Sequence, residues 1–567
     1  MPTAASISIK DTLALFDTRF SGLSKGTAQG EYAFWLGSGI SRDRVVGLDG
    51  VLAKLIEFLR VQATPAAACG YRLALEKIID MAAPSAAERA EIDLTQAAAS
   101  WPCFNDLLKR LWNQYSAVLS VEIPGERLDY LLWVGLDFPH TFSAQPADAE
   151  HLAIGMLALE GVVSHLATAN WDGLLEAAMQ ELGYDKTFYQ ITVTGEELRN
   201  PAAAANLYKF HGCALRAIDD EAGFRPLLVA RTAQITSWMS NPTFKIVRDQ
   251  LGALVQRSKT LMIGMSVQDA NIKHLFASMN AQKGWKWTDK PDPIVFSAQD
   301  LGDDQKNVLI GAYGETDYEA HRIEICEAAC LQAYAKPLLL ALLLHVLTAK
   351  LEILASDAQA LNLDAASRAS IAEGLRVLRD RVAETGNADR PALARSIAAG
   401  LARARHQLQS GSSPVGVQAY FPIDNEPVHR MKNKLALKSS GQREAAVALG
   451  LIGLEEQATN WASSIDDPSD PRSGALRLTS PNASARVFFA ANDDTVTSLL
   501  DTGAFEETDG DAVVICSGRI SARQQRNPSA TMRGGTIGPR YVAFGPLLNS
   551  ATDLTKLREE FRGEVGL

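Results

Sequence analysis

Four short polar segments of the chain each follow an apolar run directly. Their residue types suit one kind of chemistry. Glycine lacks Cβ and lets a backbone approach a phosphate closely, an asparagine amide can orient a hydroxyl or a water, and histidine titrates near neutrality. Together they predict a site that binds a phosphate-containing ligand and moves a proton. The segments are Gly37-Ser38-Gly39-Ile40-Ser41, Thr168-Ala169-Asn170-Trp171-Asp172, Lys209-Phe210-His211-Gly212 and Gly264-Met265-Ser266.

The elements that would position these segments are strands alternating with helices. This alternation predicts an α/β fold with a Rossmann-like parallel sheet. In such sheets a ligand lies at the carboxyl ends of the strands, and each polar segment falls at such an end. The predicted strands lie in YAFWLGSG, GVVSHLATANWD, NLYKFHGC, KTLMIGMSVQD, DPIVFSAQD and HRIEICEA.

Each segment also has a simpler structural explanation. The glycines of Gly37–Ser41 suit a tight turn into a helix beginning near Ser41, whose free N–H groups would also favour an anion. Asn170 could be a turn former, and His211 a core histidine. Ser266 and Asp269 could cap the helix in VQDANIKHLF. The shared position at strand ends favours the ligand site over these alternatives.

In this order the segments resemble the motifs GAGxS, TxNxD, HG and GxS of the sirtuin-like NAD-binding superfamily. The resemblance covers residues of about 10–350 and is interrupted by a helical insertion at about 50–150. It implies that Gly37, Ser38 and Gly39 cradle the NAD+ pyrophosphate, that Asp172 holds the nicotinamide amide, and that Gly264 and Ser266 hold the adenosine half. The implied NAD+-binding residues are Gly37, Ser38, Gly39, Ile40, Ser41, Thr168, Asp172, Gly264, Ser266 and Asp269.

The resemblance implies two catalytic residues, Asn170 beside the nicotinamide ribose and His211 as the general base. Breaking the nicotinamide–ribose bond develops an oxocarbenium-like charge on the ribose. Such a reaction needs an amide that orients a hydroxyl or water and a base that titrates near neutrality. Cys213 follows closely, but we expect no Cys–His dyad because the two residues occupy different positions along the strand.

The differences between this sequence and the motifs of the superfamily narrow the range of activities that we expect. The chain has no CxxC pair and cannot form the four-cysteine zinc module of protein-deacetylating sirtuins, so we expect no metal and disfavour a deacetylase. The loop RDRVVGLDG replaces a GIPDFR-like segment. Because the residues that cleave NAD+ are present and those of the acyl-lysine groove are missing, water becomes the expected acceptor. The expected activity is NAD+ glycohydrolase; the alternatives are an ADP-ribosyltransferase and a non-catalytic NAD or ADP-ribose sensor.

The stretch GMSVQDANIKHLF further resembles the GxSxxDxxI pattern of sirtuin-like effectors of bacterial immunity. That resemblance implies depletion of NAD+ and abortive infection. It also implies control by a partner, either a short Argonaute-type protein or a HerA-like ATPase, and an oligomer in the active state.

The composition is that of a soluble protein of several domains. The chain has 567 residues, of which 47 per cent are hydrophobic and 21 per cent charged, and this length favours about two to four domains. The net charge of −11 argues against bulk electrostatic binding of nucleic acid, because phosphate contacts need Lys and Arg. The six cysteines lack disulfide-framework spacing, so we expect free thiols in a reducing cytosol.

Two segments bear on location. Residues 1–20 show no positively charged start before an apolar core, so we expect no secretory signal. The apolar segment from Lys336 is interrupted by His345 and Lys350 and falls short of the roughly 20 residues that a membrane span needs. We expect a buried helix beginning at Pro337, no membrane contact and a cytoplasmic protein.

The character of the chain changes after the predicted catalytic domain, residues 1–355. Residues 356–410 predict a helical connector, and residues 417–567 a mixed α+β regulatory or partner-binding domain with strands in ARVFFAA and DAVVICSG. Five arginines crowd the acid-free stretch 519–540. This stretch is either a solvated loop or a contact for nucleic acid or an acidic partner. The arginines are Arg519, Arg523, Arg526, Arg533 and Arg540.

Overall fold

The computed structural model describes residues 2–66, 68–199, 204–283, 286–357, 363–416, 419–521 and 538–566. Its first sheet has seven strands in the order β3-β4-β2-β1-β5-β6-β7, and all neighbouring pairs are parallel. This confirms the predicted Rossmann-like α/β fold. The strands are β1 Tyr32–Leu36, β2 His165–Thr168, β3 Tyr189–Thr192, β4 Ala205–Lys209, β5 Lys259–Ile263, β6 Val295–Ser297 and β7 Cys330–Leu331.

Strand β1 is buried on both faces and separates two cores. Phe34 and Leu36 face one core, while Ala33 and Trp35 face the other, as expected for alternating side chains of a central parallel strand. The order of the strands reverses between β1 and β5, which places the topological switch point, the usual ligand crevice of such sheets, between their carboxyl ends.

A helical insertion follows β1 and forms its own core. The helices before and within it are α1 Ile9–Asp17, α2 Ser21–Ala28, α3 Leu48–Gln62, α4 Gly70–Met81, α5 Ala86–Ala90, α6 Phe104–Leu111, α7 Tyr115–Val118 and α8 Phe138–Thr141. The insertion packs onto the sheet domain through Trp171, whose ring lies 5.9 Å from Phe138 and 5.6 Å from Phe142.

Most of the remaining helices of the sheet domain cover its two faces, whereas the two short helices after β4 pack against the core of the insertion. Helices α1, α2, α9, α10 and α18 contribute to the core under Phe34, and α13 to α17 contribute to the core under Trp35. They are α9 Ala149–Leu159, α10 Leu174–Glu181, α11 Ala214–Asp219, α12 Glu221–Phe224, α13 Thr232–Trp238, α14 Lys245–Arg257, α15 Ala270–Lys283, α16 Asp303–Tyr313, α17 Glu315–Ala329 and α18 Ala335–Asp357.

Helix α18 is long and apolar enough to cross a membrane by length and composition alone, but 72 per cent of its most apolar window is buried within the protein. It lies against α9 and against two later helices, Ala365–Thr385 and Gln442–Ala458. This burial agrees with the predicted core helix and with a soluble protein. The helix begins at Ala335, two residues before the predicted Pro337.

A second, five-stranded sheet lies in the carboxyl-terminal region in the order β12-β11-β10-β9-β8. It is mixed, because β8, β9 and β10 pair antiparallel and β10, β11 and β12 pair parallel. One continuous core joins it to the first sheet. Its strands are β8 Ala462–Ile465, β9 Leu476–Thr479, β10 Ser484–Ala490, β11 Ala512–Cys516 and β12 Arg540–Ala543.

The helices that connect and flank the second sheet complete the described fold. They are α19 Ala365–Thr385, α20 Arg390–Ser410, α21 Val428–Met431, α22 Leu435–Lys438, α23 Gln442–Ala458, α24 Asp493–Asp501, α25 Phe544–Ser550 and α26 Leu554–Val565. The proposed division at residues 355 and 417 stays a prediction.

Two local predictions were wrong, and one strand was missed. The stretch HRIEICEA belongs to helix α17, with Ile325 buried and Ile323 exposed; its short alternation imitated a strand that begins only at Cys330. Residues 189–192 form β3, which was not predicted. No helix begins near Ser41, because Ser38–Ile40 make a single 3₁₀ turn and α3 begins at Leu48.

The arginine-rich stretch lies mostly outside the described residues, which exclude 522–537 and with them Arg523, Arg526 and Arg533. Arg519 is exposed. Arg540 lies in β12, and its Nη1 donates to the Val565 carbonyl at 2.6 Å, so this arginine helps to fix the carboxyl-terminal helix. Nucleic-acid binding by the stretch stays a prediction.

Candidate functional site

The loop after β1 and the turn after β5 interlock at the switch point. The Gly37 N–H donates to the Ile263 carbonyl and the Gly39 N–H to the Gly264 carbonyl, both at 2.9 Å. Gly264 has φ +62°, and a Cβ on Gly39 would lie 2.7 Å from the Gly264 Cα. This close backbone packing is enough to require glycine at both positions, so a pyrophosphate cradle at Gly37, Ser38 and Gly39 stays a prediction.

The Gly264→Ala substitution is expected to destabilise the protein more than Gly503→Ala. Both glycines have φ between +60° and +76°, which costs an L-residue about 1–2 kcal/mol. A Cβ on Gly264 would also lie 2.7 Å from the Ile40 nitrogen, whereas a Cβ on Gly503 meets nothing within 4 Å, and such overpacking adds about 1–3 kcal/mol. Urea unfolding midpoints measure the difference; equal midpoints would show that the loops can separate freely.

Hydrogen bonds join the first two sequence segments into one polar cluster. The Ser41 hydroxyl donates to Asp172 Oδ2 at 2.8 Å. Asn170 Nδ2 donates to the Gly37 carbonyl at 3.0 Å and lies 3.3 Å from the Ser41 Oγ. With both amide protons directed to the protein, Asn170 Oδ1 accepts from no group in the described part of the chain. This oxygen is therefore available to a ligand hydroxyl or a water.

Thr168 holds the backbone of this cluster in place. Its hydroxyl donates to the Leu36 carbonyl at 2.9 Å and accepts from the Asn170 N–H at 3.0 Å. The side chain is buried. Thr168 therefore ties β2 to β1 and fixes the backbone of Asn170; a direct contact of Thr168 with NAD+ stays a prediction.

His211 follows β4 and is buried at 4 per cent exposure. Its Nε2 lies 3.1 Å from Asp269 Oδ2, but the two atoms are not aligned for a hydrogen bond, and this nitrogen has no hydrogen-bond partner in the described structure. Burial lowers the pKa of His211, and the Asp269 carboxylate opposes that shift. The imidazole is therefore neutral at neutral pH, the state that a general base needs.

The two parts of the candidate site meet through Trp171. Its indole N–H donates to the His211 carbonyl at 2.9 Å, so the residue between Asn170 and Asp172 holds the backbone of the histidine. Asp269 has two contacts: Oδ1 accepts from the Asn271 N–H at 2.8 Å, which caps α15, while Oδ2 faces His211. Ser266 is exposed beside them.

Several residues of this region were not predicted. Tyr115 of the insertion lies near Asp269, since burial and then the Asp269 carboxylate raise its pKa to about 12. Gln268 also donates to the Asn113 side chain at 3.2 Å. The insertion thus reaches the turn that holds Asp269, and no motif in the insertion sequence indicated this contact.

Helix α9 brings two further ionisable side chains into the buried region. The Asp148 N–H donates to His151 Nδ1 at 3.2 Å, so the neutral ring has its proton on Nε2, a buried atom with no partner in the described structure. Burial lowers the pKa of His151 to about 4 against the charges of Asp172 and Asp148. Burial raises the pKa of Glu150 to about 7. The sequence did offer one signal for these residues, because the two ionisable side chains stand within an otherwise apolar helix.

Lys209 connects the second and third segments. Its ammonium donates to the Asp172 carbonyl and to Glu176 Oε1, both at 2.5 Å. Cys213 lies in the same buried group, with its Sγ 3.7 Å from Lys209 Nζ. In the described residues, no group of three or more His, Cys, Asp or Glu side chains could hold a metal ion; a metal-free site stays a prediction.

A family model described as "SIR2-like domain" matches residues 164–315. The matched span contains Asn170, Asp172, His211, Gly264 and Asp269, whereas the loop after β1 lies before it. No curated protein matches the chain. The match supports a member of the sirtuin-like superfamily with an NAD-related function.

Proposed function

We propose that the chain is an NAD+ glycohydrolase that cleaves NAD+ to nicotinamide and ADP-ribose. One observation supports this most. At the switch point of a Rossmann-like sheet, Asn170 is half-buried and its amide oxygen accepts from no group in the described residues. The next residue, Trp171, donates to the backbone carbonyl of His211, a buried neutral histidine whose Nε2 also has no hydrogen-bond partner there. Both residues fall within the span matched by the SIR2-like model.

The residues present suit NAD+ as a substrate. Two buried donors have no protein partner in the described structure, namely His151 Nε2 and Asn271 Nδ2. The Asp172 charge acts on His151, and the Asn271 backbone N–H donates to Asp269. An unpaired buried polar group costs about 1–3 kcal/mol, and a ligand rich in acceptors, such as a phosphate or a carboxamide, would satisfy these donors. Ser41 and Asp172, joined at 2.8 Å, would hold the nicotinamide side.

In the proposed reaction, Asn170 orients a reacting group, His211 accepts a proton and Asp269 stabilises the charge that forms. Asn170 Oδ1 accepts from a ribose hydroxyl or the attacking water and thereby orients it. The His211 imidazole takes a proton as the water attacks, and the Asp269 carboxylate stabilises the imidazolium that forms. The Trp171 hydrogen bond holds the histidine backbone in place during this transfer.

The pH dependence of the reaction is expected to report on His211. The base acts when neutral, so activity should fall as the pH drops through its folded-state pKa, which lies below the ordinary value of a histidine because burial lowers it. The Asp269 carboxylate opposes that shift, so Asp269→Asn, which keeps a helix-capping side chain, should move the acid limb of kcat/KM to lower pH. A limb that stays in place or moves to higher pH would contradict the assignment of the base.

The products distinguish the proposal from its two alternatives. A hydrolase releases nicotinamide and free ADP-ribose in equal amounts. An ADP-ribosyltransferase leaves a labelled protein or nucleic-acid adduct after incubation with tagged NAD+. A sensor binds NAD+ and releases no nicotinamide. Chromatography of the small-molecule products together with a gel of the labelled macromolecules separates all three outcomes.

We further propose that the chain is a cytoplasmic effector of bacterial immunity, silent until a partner activates it. The resemblance of Gly264–Ile272 to defence effectors supports this proposal. A short Argonaute-type protein or a HerA-like ATPase is the proposed partner, and an oligomer the proposed active state. Cellular NAD+ measured after phage infection, with wild type and Asn170→Ala, tests it: depletion only in the wild type is expected.

A further inference from the structure

Trp171 connects the candidate site to the helical insertion. It stands between Asn170 and Asp172, yet its ring packs against the core of the insertion. The centre of the ring lies 5.9 Å from that of Phe138 and 5.6 Å from that of Phe142. Phe142 meets it edge to face, at an angle of 80°, which is an arrangement favoured between aromatic rings. The position of the indole therefore depends on the insertion.

The indole N–H of Trp171 contacts the backbone of the proposed base. It donates to the His211 carbonyl at 2.9 Å, and the same carbonyl accepts from the Val229 N–H at 2.9 Å. Because the second bond remains when the first is removed, loss of the indole N–H leaves this carbonyl with a partner and should cost little stability. The loss does remove one of the two bonds that fix the His211 backbone.

The insertion also contacts the turn that places Asp269 opposite His211. Gln268 Nε2 donates to Asn113 Oδ1 of the insertion at 3.2 Å, and Asp269 Oδ2 lies 3.1 Å from His211 Nε2. The attraction between this carboxylate and an imidazolium weakens as the distance grows. The insertion is thus connected to both sides of the base, to its carbonyl through Trp171 and to its ring through the turn at Gln268.

We infer that the helical insertion sets the rate of the proposed reaction, with Trp171 as the positioning residue through which it acts on His211. The inference rests on the proposed function, because it takes His211 as the general base. A misplacement of about 1 Å at a reacting group costs about 10²-fold in rate. A small displacement of the insertion is therefore enough to change the rate strongly.

The insertion contains a second tryptophan–phenylalanine pair, which serves as the control. The Trp101 indole N–H donates to the Asp93 carbonyl at 2.8 Å, and the Trp101 ring lies 6.1 Å from that of Phe104. Phe104 and Phe142 are almost equally buried, at 7 and 6 per cent exposure. The two pairs share their chemistry, but the Trp101 N–H binds a loop of the insertion and not the candidate site.

The test measures kcat and KM for nicotinamide release from NAD+ by the full-length chain, under the condition in which the wild type is active. Trp171→Phe keeps an aromatic ring in the insertion core and should lower kcat by about 10-fold or more, with KM little changed. Phe142→Leu should lower kcat in the same way, because the indole loses its support. Phe104→Leu should lower the thermal midpoint as much as Phe142→Leu does, but it and Trp101→Phe should retain the wild-type kcat.

Failure of this inference and failure of the proposed function give different results. If the wild type releases no nicotinamide, alone or with the neighbouring gene product plus nucleic acid, or if a folded His211→Ala variant keeps the wild-type rate, the proposed function fails and the inference with it. If His211→Ala loses activity while Trp171→Phe or Phe142→Leu retains the wild-type kcat, the role of the insertion alone is overturned.

The control pair decides the remaining cases. An equal loss of kcat in Trp101→Phe and Phe104→Leu would also overturn the inference, because the effect would then follow from any weakening of the insertion core. If Trp171→Phe does not fold, the comparison of Phe142→Leu with Phe104→Leu decides: a lower kcat in Phe142→Leu alone supports the inference, and equal values overturn it.

Discussion

Replacing His211 by Ala is expected to lower the rate of nicotinamide release from NAD+ by about 10²–10⁴-fold, the usual contribution of a general base. The side chain is buried beside Asp269, its Nε2 has no hydrogen-bond partner in the described structure, and burial keeps it neutral. His140→Ala is the matched control, because that side chain is 86 per cent exposed. The control should retain full activity.

The loss should appear in kcat more than in KM, because the base acts on the reacting water and not on the bound substrate. Unchanged thermal midpoints would show that His211→Ala still folds. A variant that folds and retains more than about a tenth of the wild-type rate would exclude His211 as the general base.

The Lys350→Met substitution is expected to lower stability by about 3–5 kcal/mol, as when one partner of a buried ion pair is removed. Lys350 and Glu160 are both 0 per cent exposed, with Nζ 2.7 Å from Oε2. The other Glu160 oxygen accepts from the Tyr420 hydroxyl at 2.6 Å and the Ile423 N–H at 3.0 Å. Lys350 also donates to the Asp424 carbonyl. The network thus fastens residues 420–424 to α9 and α18.

Lys10→Met provides the matched control, because Lys10 pairs with Glu384 on the surface and such pairs contribute about 0–1 kcal/mol. The urea midpoint should fall clearly in Lys350→Met and little in Lys10→Met. Adding Glu160→Gln to Lys350→Met should recover part of the loss, since the remaining buried charge is then removed. Equal midpoints for the two single variants would show that the buried pair does not hold the regions together.

Much of the first sheet and its helices was predictable because parallel strands buried on both faces leave a strong local signal. The runs before Gly37, Asn170 and Gly264 are apolar and end in polar turns, and each became a strand of the sheet. The secondary structure of short segments was predicted less reliably. HRIEICEA alternates like a strand, yet burial of Ile325 in α17 decided its structure, and β3 passed unnoticed although Ile191 and Thr192 favour strands.

The site residues that lie in recognisable motifs were predictable from the sequence. The residues that only packing brings to the site were not. Asn170, Asp172 and His211 lie in recognisable segments. Tyr115 and His151 approach the same region from the insertion and from α9, and no spacing connects them to the motifs. Thr168 shows a third case: its residue type was noticed, but only the structure shows that it bonds the Leu36 carbonyl.

The central claim is that the residues around Asn170 cleave the nicotinamide–ribose bond. The most direct measurement is nicotinamide and ADP-ribose released from NAD+ by wild type and Asn170→Ala, each alone and with the product of the neighbouring gene plus nucleic acid. We expect equal amounts of both products from the wild type in at least one of these conditions and none from Asn170→Ala. NAD+ that binds the wild type and is recovered intact in every condition would contradict it.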